Sequence, residues 1–322
     1  MFFQFINTPS GIFAFLLISG VTVVNGFTDA PASISGVVSS KLWSIKKAAL
    51  VCGIFNFLGV ILFYSFSGRV AKSIFLSAKF GGFTAECICA SLLGVILFSL
   101  ASWLFAMPSS ETHAIISCIY GASMAVSADK GSGVFASAVF YMMLSCVFSV
   151  TLALVVCITL RKRSLPYSLC EKLASVLSSF MHGAQDGQKF VGLLALFTVN
   201  GAFDRRNGFL PCLYVGVLML FGTIICGKKI IASLGNDIVE NSEKIAFVSD
   251  ISSTVCIFFC SLMGLSVSTG NIKACSLIGA GLGEKARINY FAVFKIIAVS
   301  VVTFPVCTVL GFYLTRIFIL LF

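Results

Sequence analysis

Charge is what this sequence lacks. Only 11% of its 322 residues are Asp, Glu, Lys or Arg, whereas a soluble domain carries about 25%. With 58% hydrophobic residues there is more apolar surface than a soluble core can absorb. The scarcity is concentrated. No Asp, Glu, Lys or Arg occurs in residues 1–28, 48–68, 87–110, 131–160, 207–227, 251–272 or 296–315. Each stretch reaches the ~20 residues that a membrane helix needs. Lipid offers the backbone no hydrogen-bond partners, so these stretches are expected to be helices. Their unbroken apolar character, without alternation, argues against a β-barrel.

Other absences narrow the function. The opening 28 residues have no basic n-region, and Asn25-Gly26-Phe27-Thr28-Asp29 follows their apolar part, so they read as a retained first span and not as a secretory signal. No basic run with interleaved aromatics accompanies the net charge of +10. That charge therefore suits loops facing anionic membrane lipid, and no nucleic-acid partner is expected. The 13 cysteines show no ligand spacing and read as reduced packing residues. Neither a metal-ligand cluster nor a nucleophile–base pair is evident. An enzyme using His and Asp as acid and base on a lipid or phosphoryl substrate is the competing reading from another class.

What is present is a sparse set of polar residues inside the apolar landscape. The segment from about Gly11 to Ser40 holds Asp29 as its only charge. A second, from about Leu173 to Phe203, holds His182, Asp186 and Lys189 near its middle. An ionisable group at membrane depth is costly and marks function by default. Two further segments read as long helix, polar break, short helix: residues 87–128, broken at Pro108–His113, and residues 251–283, broken at Ser266–Asn271. The spacing repeats. Asp29 to His113 is 84 residues and Asp186 to Asn271 is 85; His113 precedes Gly121 by eight, as Asn271 precedes Gly279. Arg69–Ile74 also resembles Lys229–Leu234. These coincidences predict an internal repeat, residues 1–160 and 161–322, joined at the basic loop Arg161–Lys172. An odd number of crossings per half would invert the second copy. Duplicated halves with interrupted helices point to a transporter site at the midplane.

A broken helix exposes unpaired N–H groups at its new N-terminus, and these attract anions. Ser109, Ser110, Thr112, Ser268 and Thr269 stand where two such half-helices begin, either as anion donors or as caps. Asp29 and Asp186 repel an anion unless a cation sits beside each, or the anion carries protons, as phosphate does and sulfate does not. A packing role, each Asp paired with a lysine, is the alternative. His113 and His182 are candidate proton carriers or structural histidines. Lys189 and Lys273 either attract the anion, neutralise an Asp or snorkel to the interface. Glu86 and Asp250 open apolar runs and read as interfacial.

These residues resemble the inorganic phosphate transporter family, often called PiT or Pho-4. Asn25-Gly26-Phe27-Thr28-Asp29-Ala30-Pro31 is similar to its first signature, and His182-Gly183-Ala184-Gln185-Asp186-Gly187-Gln188-Lys189 to its second. Pro108–Ala114, Val267-Ser268-Thr269 with Lys273, and the stretch Gly227–Gly235 match further segments in order. The resemblance implies an all-α polytopic membrane protein of two inverted-topology repeats, with broken or re-entrant helices lining a midplane site. It implies a secondary active transporter of phosphate, in symport with Na+ or H+ by alternating access, in the cell membrane, as a homodimer. No cofactor is implied beyond the coupling ion. Carried over by position, Asp29, Ser109, Ser110, Thr112, Gln185, Asp186, Ser268 and Thr269 would bind substrate. Asn25, Thr28, Asp29 and Asp186 would hold the coupling ion, with His113, His182, Lys189 and Lys273 as proton or charge partners. Ala32, Gln185, Gly270 and Asn271 depart from the family's usual residues, which bears on ion stoichiometry and anion choice. Sulfate or another oxyanion is the alternative cargo.

Overall fold

The computed structural model describes residues 9–80, 84–105, 109–126, 132–196, 208–225 and 238–321. Pro108, the Lys229–Leu234 motif and the stretch Gly227–Gly235 lie outside the described residues. All regular structure among the described residues is helical, as the continuous apolar runs predict. Among the described residues six segments are long and apolar enough to cross a membrane: Gly11–Ser39, Ile45–Phe66, Glu86–Leu104, Ser132–Thr159, Glu243–Met263 and Tyr290–Leu321. The chain is an integral membrane protein.

In chain order, α1 (Pro9–Thr28) runs into a 3-10 turn (Ala30–Ile34) and α2 (Ser35–Ser39). Then α3 (Ile45–Leu58) widens into a π turn (Gly59–Phe63) before α4 (Tyr64–Phe66) and α5 (Arg69–Phe80). The first expected break separates α6 (Ala85–Leu104) from α7 (Glu111–Val126), and α8 (Ser132–Thr159) follows. Beyond the basic loop, α9 (Tyr167–His182) passes through a π turn (Gly183–Gly187) into α10 (Gln188–Ala195), and α11 (Phe209–Ile224) comes next. The second break separates α12 (Glu243–Met263) from α13 (Thr269–Glu284), and α14 (Tyr290–Leu321) closes the described chain.

The second break shows how local chemistry makes the interruption. The Ser242 hydroxyl accepts the Ile245 N–H at 3.2 Å and starts α12. Gly264 ends it in the left-handed conformation, φ +78°, which few other residues tolerate. Ser268 is extended and accepts the Asn271 N–H at 3.3 Å, so a new helix begins at Thr269. The first break restarts the same way: Ser110 accepts the His113 N–H at 3.2 Å.

The short helices after the breaks are held by close crossings. A Cβ on Gly121 of α7 would strike the Thr308 carbonyl of α14, and one on Gly279 of α13 would strike the Val150 carbonyl of α8. A single displacement of 158 residues carries Gly121 onto Gly279 and Val150 onto Thr308. A second set of crossings behaves alike. Gly26 and Gly222 let α1 meet α11 against Met219 and Val23; Gly183 and Gly59 let α9 meet α3 against Asn56 and Phe180. Gly26 and Val23 map onto Gly183 and Phe180 at a displacement of 157. Ser149 adds hydrogen bonds across α8 and α13, to the Ile272 carbonyl at 2.8 Å and to Ser276 at 2.5 Å.

The long helices α8 and α14, with 28 and 32 residues, face outward. Phe140, Val147, Val155, Ile297, Val301 and Val309 are exposed along them, which costs nothing against lipid tails. At 1.5 Å per residue both exceed the ~30 Å hydrocarbon thickness, so they cross with tilt or project beyond it. The polar residues lie inside, between the shorter helices.

Candidate functional site

Four interruptions meet at one buried place: the end of α1, the π turn between α9 and α10, and the starts of α7 and α13. Each follows from its sequence. Pro31 follows the last turn of α1, where the ordinary helical pattern gives way to a 3-10 turn with Asp29 at its cap. Gly183 and Gly187 carry no side chain where the π turn presses against Asn56 and Val60. The wide turn offers Asp186 towards α1 and α13, as such bulges often do at functional sites.

Asp186 is the hub, with no exposed surface. One carboxylate oxygen, Oδ1, accepts from Lys189 Nζ at 2.6 Å. The other, Oδ2, accepts from Asn25 Nδ2 at 3.2 Å and Thr269 Oγ1 at 3.3 Å, with His182 Nε2 at 3.5 Å. Lys189 also donates to Thr112 Oγ1 at 2.5 Å and to the Val267 carbonyl at 2.9 Å. One ammonium group thus joins the π turn to both breaks. Asp29 stands near enough to Asp186 and Lys189 to feel both charges. On the same side Thr28 donates to Glu111 Oε1 at 3.2 Å, bringing a third buried carboxylate in from the start of α7.

Of the residues expected from the sequence, Asn25, Thr28, Asp29, Thr112, His182, Asp186, Lys189 and Thr269 come together here. Ser110 and Ser268 spend their hydroxyl oxygens on capping α7 and α13. Ser109 precedes the first cap and is half-buried. Gln185 turns away, donating to the Leu265 carbonyl at 2.9 Å and accepting from Ser261. His182 Nδ1 meets Asn56 Oδ1 at 3.2 Å. The two remaining polar candidates lie elsewhere. The His113 ring stacks on Phe304, with centroids 4.6 Å apart, and its two nitrogens are buried without a hydrogen-bond partner. Lys273 neutralises Asp250 at 2.5 Å, away from Asp186. This corrects the interfacial reading of Asp250, which is fully buried; Glu86 is half-buried.

Sequence reasoning missed Glu111, although it lies inside the first break. Its neighbours' hydroxyls suggested anion donors, and an acid did not fit that pattern. The available signal was its register: Glu111 stands 158 residues before Thr269, and each reaches an acidic signature segment.

The electrostatics decide what such a site can do. Three carboxylates, Asp29, Glu111 and Asp186, face one lysine and a histidine in a dry environment. Buried charge is tolerated only when compensated. Glu111 Oε2 and Asn25 Oδ1 are buried acceptors with no donor. Two helix N-termini add positive potential nearby. The place suits an anion accompanied by cations or protons.

Comparison with known proteins agrees. The phosphate transporter family model matches residues 25–168 and 161–311. The chain belongs to the phosphate transporter family. A probable low-affinity inorganic phosphate transporter of Bacillus subtilis (strain 168) is 25% identical to this transporter over 307 residues, 89% of this chain and 91% of its own. One of Rhizobium meliloti (strain 1021) is 25% identical over 321 residues, 92% and 95% of the two chains. One of Mycobacterium tuberculosis (strain CDC 1551 / Oshkosh) is 27% identical over 304 residues, 89% and 72%. A solved structure described as the sodium-dependent phosphate transporter shares the fold, with a TM-score of 0.82 at 16% identity over 97% of this chain and 99% of the other. A transporter, and not a membrane enzyme, is what these relatives are named.

Proposed function

We propose that the protein carries inorganic phosphate in symport with a cation, Na+ or H+, by alternating access around the Asp29–Asp186 site. The observation that carries this reading is the excess of buried carboxylate over ammonium there. Phosphate alone would deepen the deficit of positive charge. A cation or proton bound at Asp29, Glu111 and Asp186 relieves it, so anion and cation enter together. In this mechanism Lys189 is the counter-ion of Asp186 while the cation is absent. Arrival of the cation loosens that pairing and turns the ammonium towards phosphate. The N–H groups at the starts of α7 and α13, with Thr112 and Thr269, supply neutral donors that hold phosphate without trapping it.

Alternating access rests on the repeat. The related crossings Gly121–Thr308 and Gly279–Val150 support two copies, residues 1–160 and 161–322, of opposite orientation in the membrane. A pseudo-two-fold arrangement makes two conformations of similar energy available, each open to one side.

The test is uptake of labelled phosphate into proteoliposomes with a Na+ gradient or a pH gradient imposed alone. One of the two should drive accumulation, with arsenate competing strongly and sulfate weakly. Accumulation that ignores both gradients would refute symport. Equal competition by sulfate would make the cargo a general oxyanion.

A further inference from the structure

We propose that Glu171 and Asp250 form a second, proton-holding site apart from the transport site, in which two facing carboxyl groups share one proton beneath Gly36. Glu171 opens the buried face of α9 and is fully buried, and neither of its carboxylate oxygens has a hydrogen-bond partner. Asp250, on α12, is equally buried. Its Oδ1 pairs with Lys273 Nζ at 2.5 Å, while Oδ2 has no partner. The two orphaned acceptors converge. A Cβ on Gly36 of α2 would lie 2.5 Å from Glu171 Oε1 and 2.9 Å from Asp250 Oδ2. Two acceptors turned to one point with no donor between them are completed by a single proton.

The charge count asks for the same thing. Glu171 and Asp250 bring two negative charges and Lys273 one positive, in a place sealed from water. Lys273 is already committed to Asp250 Oδ1 and to Ser249 Oγ at 2.9 Å. The other titratable groups in reach are Glu243, exposed at the start of α12, whose charge acts weakly on Glu171, and Cys52 of α3, which feels Asp250. Neither supplies a positive charge. The 3-10 turn and α2 carry no titratable side chain, and Lys172, next along α9, is half-exposed. Two carboxylates in one dry site do not both stay ionised, so the proton binds to the pair as a unit.

The pair is separate from the transport site yet tied to it. Fifteen residues of α9 and its π turn separate Glu171 from Asp186, roughly 20 Å at helical rise. Two segments connect the places. Lys273 stands one turn beyond Thr269 on α13, and Thr269 bonds Asp186. Gly36 stands seven residues beyond Asp29. With the proton in place, α2 lies closed over a neutral assembly. Its loss leaves an uncompensated charge against the Gly36 backbone and disfavours that closure.

The test is infrared spectroscopy of the purified full-length protein near neutral pH, which reads protonated carboxyl groups in dry sites, with and without Na+. Glu171→Gln keeps the Asp250–Lys273 pair and so leaves folding the least disturbed. We expect a protonated-carboxyl band in the wild type that Na+ leaves unchanged and that is absent in E171Q, distinct from any Na+-sensitive band of the transport site. Gly36→Ala, which sets a methyl against both oxygens, should shift that band without removing it. In proteoliposomes without gradients, E171Q should still exchange phosphate for phosphate, with an altered pH profile. A spectrum unchanged in both variants would overturn the proposal, as would loss with Na+ of the band that E171Q removes. Failure of gradient-driven uptake with the band present and lost in E171Q would fault the symport reading and still support this site.

Discussion

Replacing Lys189 by Met tests how the transport site is held together. The lysine donates to Asp186 Oδ1 at 2.6 Å, Thr112 Oγ1 at 2.5 Å and the Val267 carbonyl at 2.9 Å. Thr112 also donates to the Val267 carbonyl at 3.1 Å, so those two groups keep a partner when the ammonium is gone. The main loss is therefore the counter-charge of Asp186. Removing one member of a buried ion pair costs about 3–5 kcal/mol, because the other is left charged in a dry place. Asp186→Asn alone should cost less, because Asp29 still offers the ammonium a counter-charge. The double variant Lys189→Met/Asp186→Asn removes both charges. It should recover most of the loss, since two neutral residues need no compensation. Thermal unfolding of the purified variants in detergent, in phosphate-free buffer, should place the double variant below wild type and above Lys189→Met. Phosphate uptake should be lost in all three, so stability and transport separate. A double variant no more stable than Lys189→Met would refute the argument from paired burial.

Asp29→Asn should abolish uptake while the protein reaches the membrane in normal amount; wild-type uptake rates would remove Asp29 from the site. Glu111→Gln deletes one of the three carboxylates and should weaken the apparent affinity for the driving cation about tenfold, or ~1.4 kcal/mol, read from uptake against cation concentration; an unchanged curve would place Glu111 outside ion coupling. Gly121→Val drives a side chain into the Thr308 carbonyl and should destabilise by about 1–3 kcal/mol. Gly270→Ala, where a Cβ meets nothing within 4 Å, should leave the thermal midpoint nearly unchanged, and a large loss there would contradict the packing described.

The membrane class, the two breaks and the signature acids were legible because a charge inside a long apolar run has few innocent explanations. Asp29 stood out as the only charge of its segment, and Asp186 as one of two, with Lys189, in an otherwise apolar run. Glu171 did not. It lies one residue before Lys172, in what reads as the basic loop between halves, yet it is already the fifth residue of α9. A helical stripe was there to be found: Glu171, Ser175, Ser178, Ser179 and His182 recur at helical spacing and line the buried face of α9. Asp250 misled for a related reason. It stands eight residues into a 21-residue helix whose apolar run starts only after it, so the run's edge resembled the membrane's edge. The pairing of Lys189 with Asp186 is three residues apart and open to spacing, whereas that of Lys273 with Asp250 joins two helices, and spacing alone chooses no partner across space. The π turns were illegible because nothing in the residues Gly183–Gly187 selects the wider hydrogen-bond pattern over the ordinary helical one.

The glycine crossings bear on how the chain is built. Among the described residues the two most extensive helix pairings are α7 with α14 and α13 with α8, so each of these short helices lies against a long helix from the far side of the Arg161–Lys172 loop. A ribosome finishes α7 long before it begins α14. Until then the bare backbone of Gly121 and Cys118, shaped to receive Thr308 and Gly311, waits in lipid without its companion. In the same interval α8 presents the Ser149 hydroxyl, whose partners on α13 are not yet made. Neither half is a finished unit on leaving the translocon. Insertion and assembly are thus distinct stages, and damage to the last helix reaches the earliest-made break. Truncation within α14 should therefore leave inserted but unassembled chains, the kind a membrane protease recognises, whereas residues 1–160 and 161–322 expressed together as separate polypeptides should restore the α7–α14 and α13–α8 pairings.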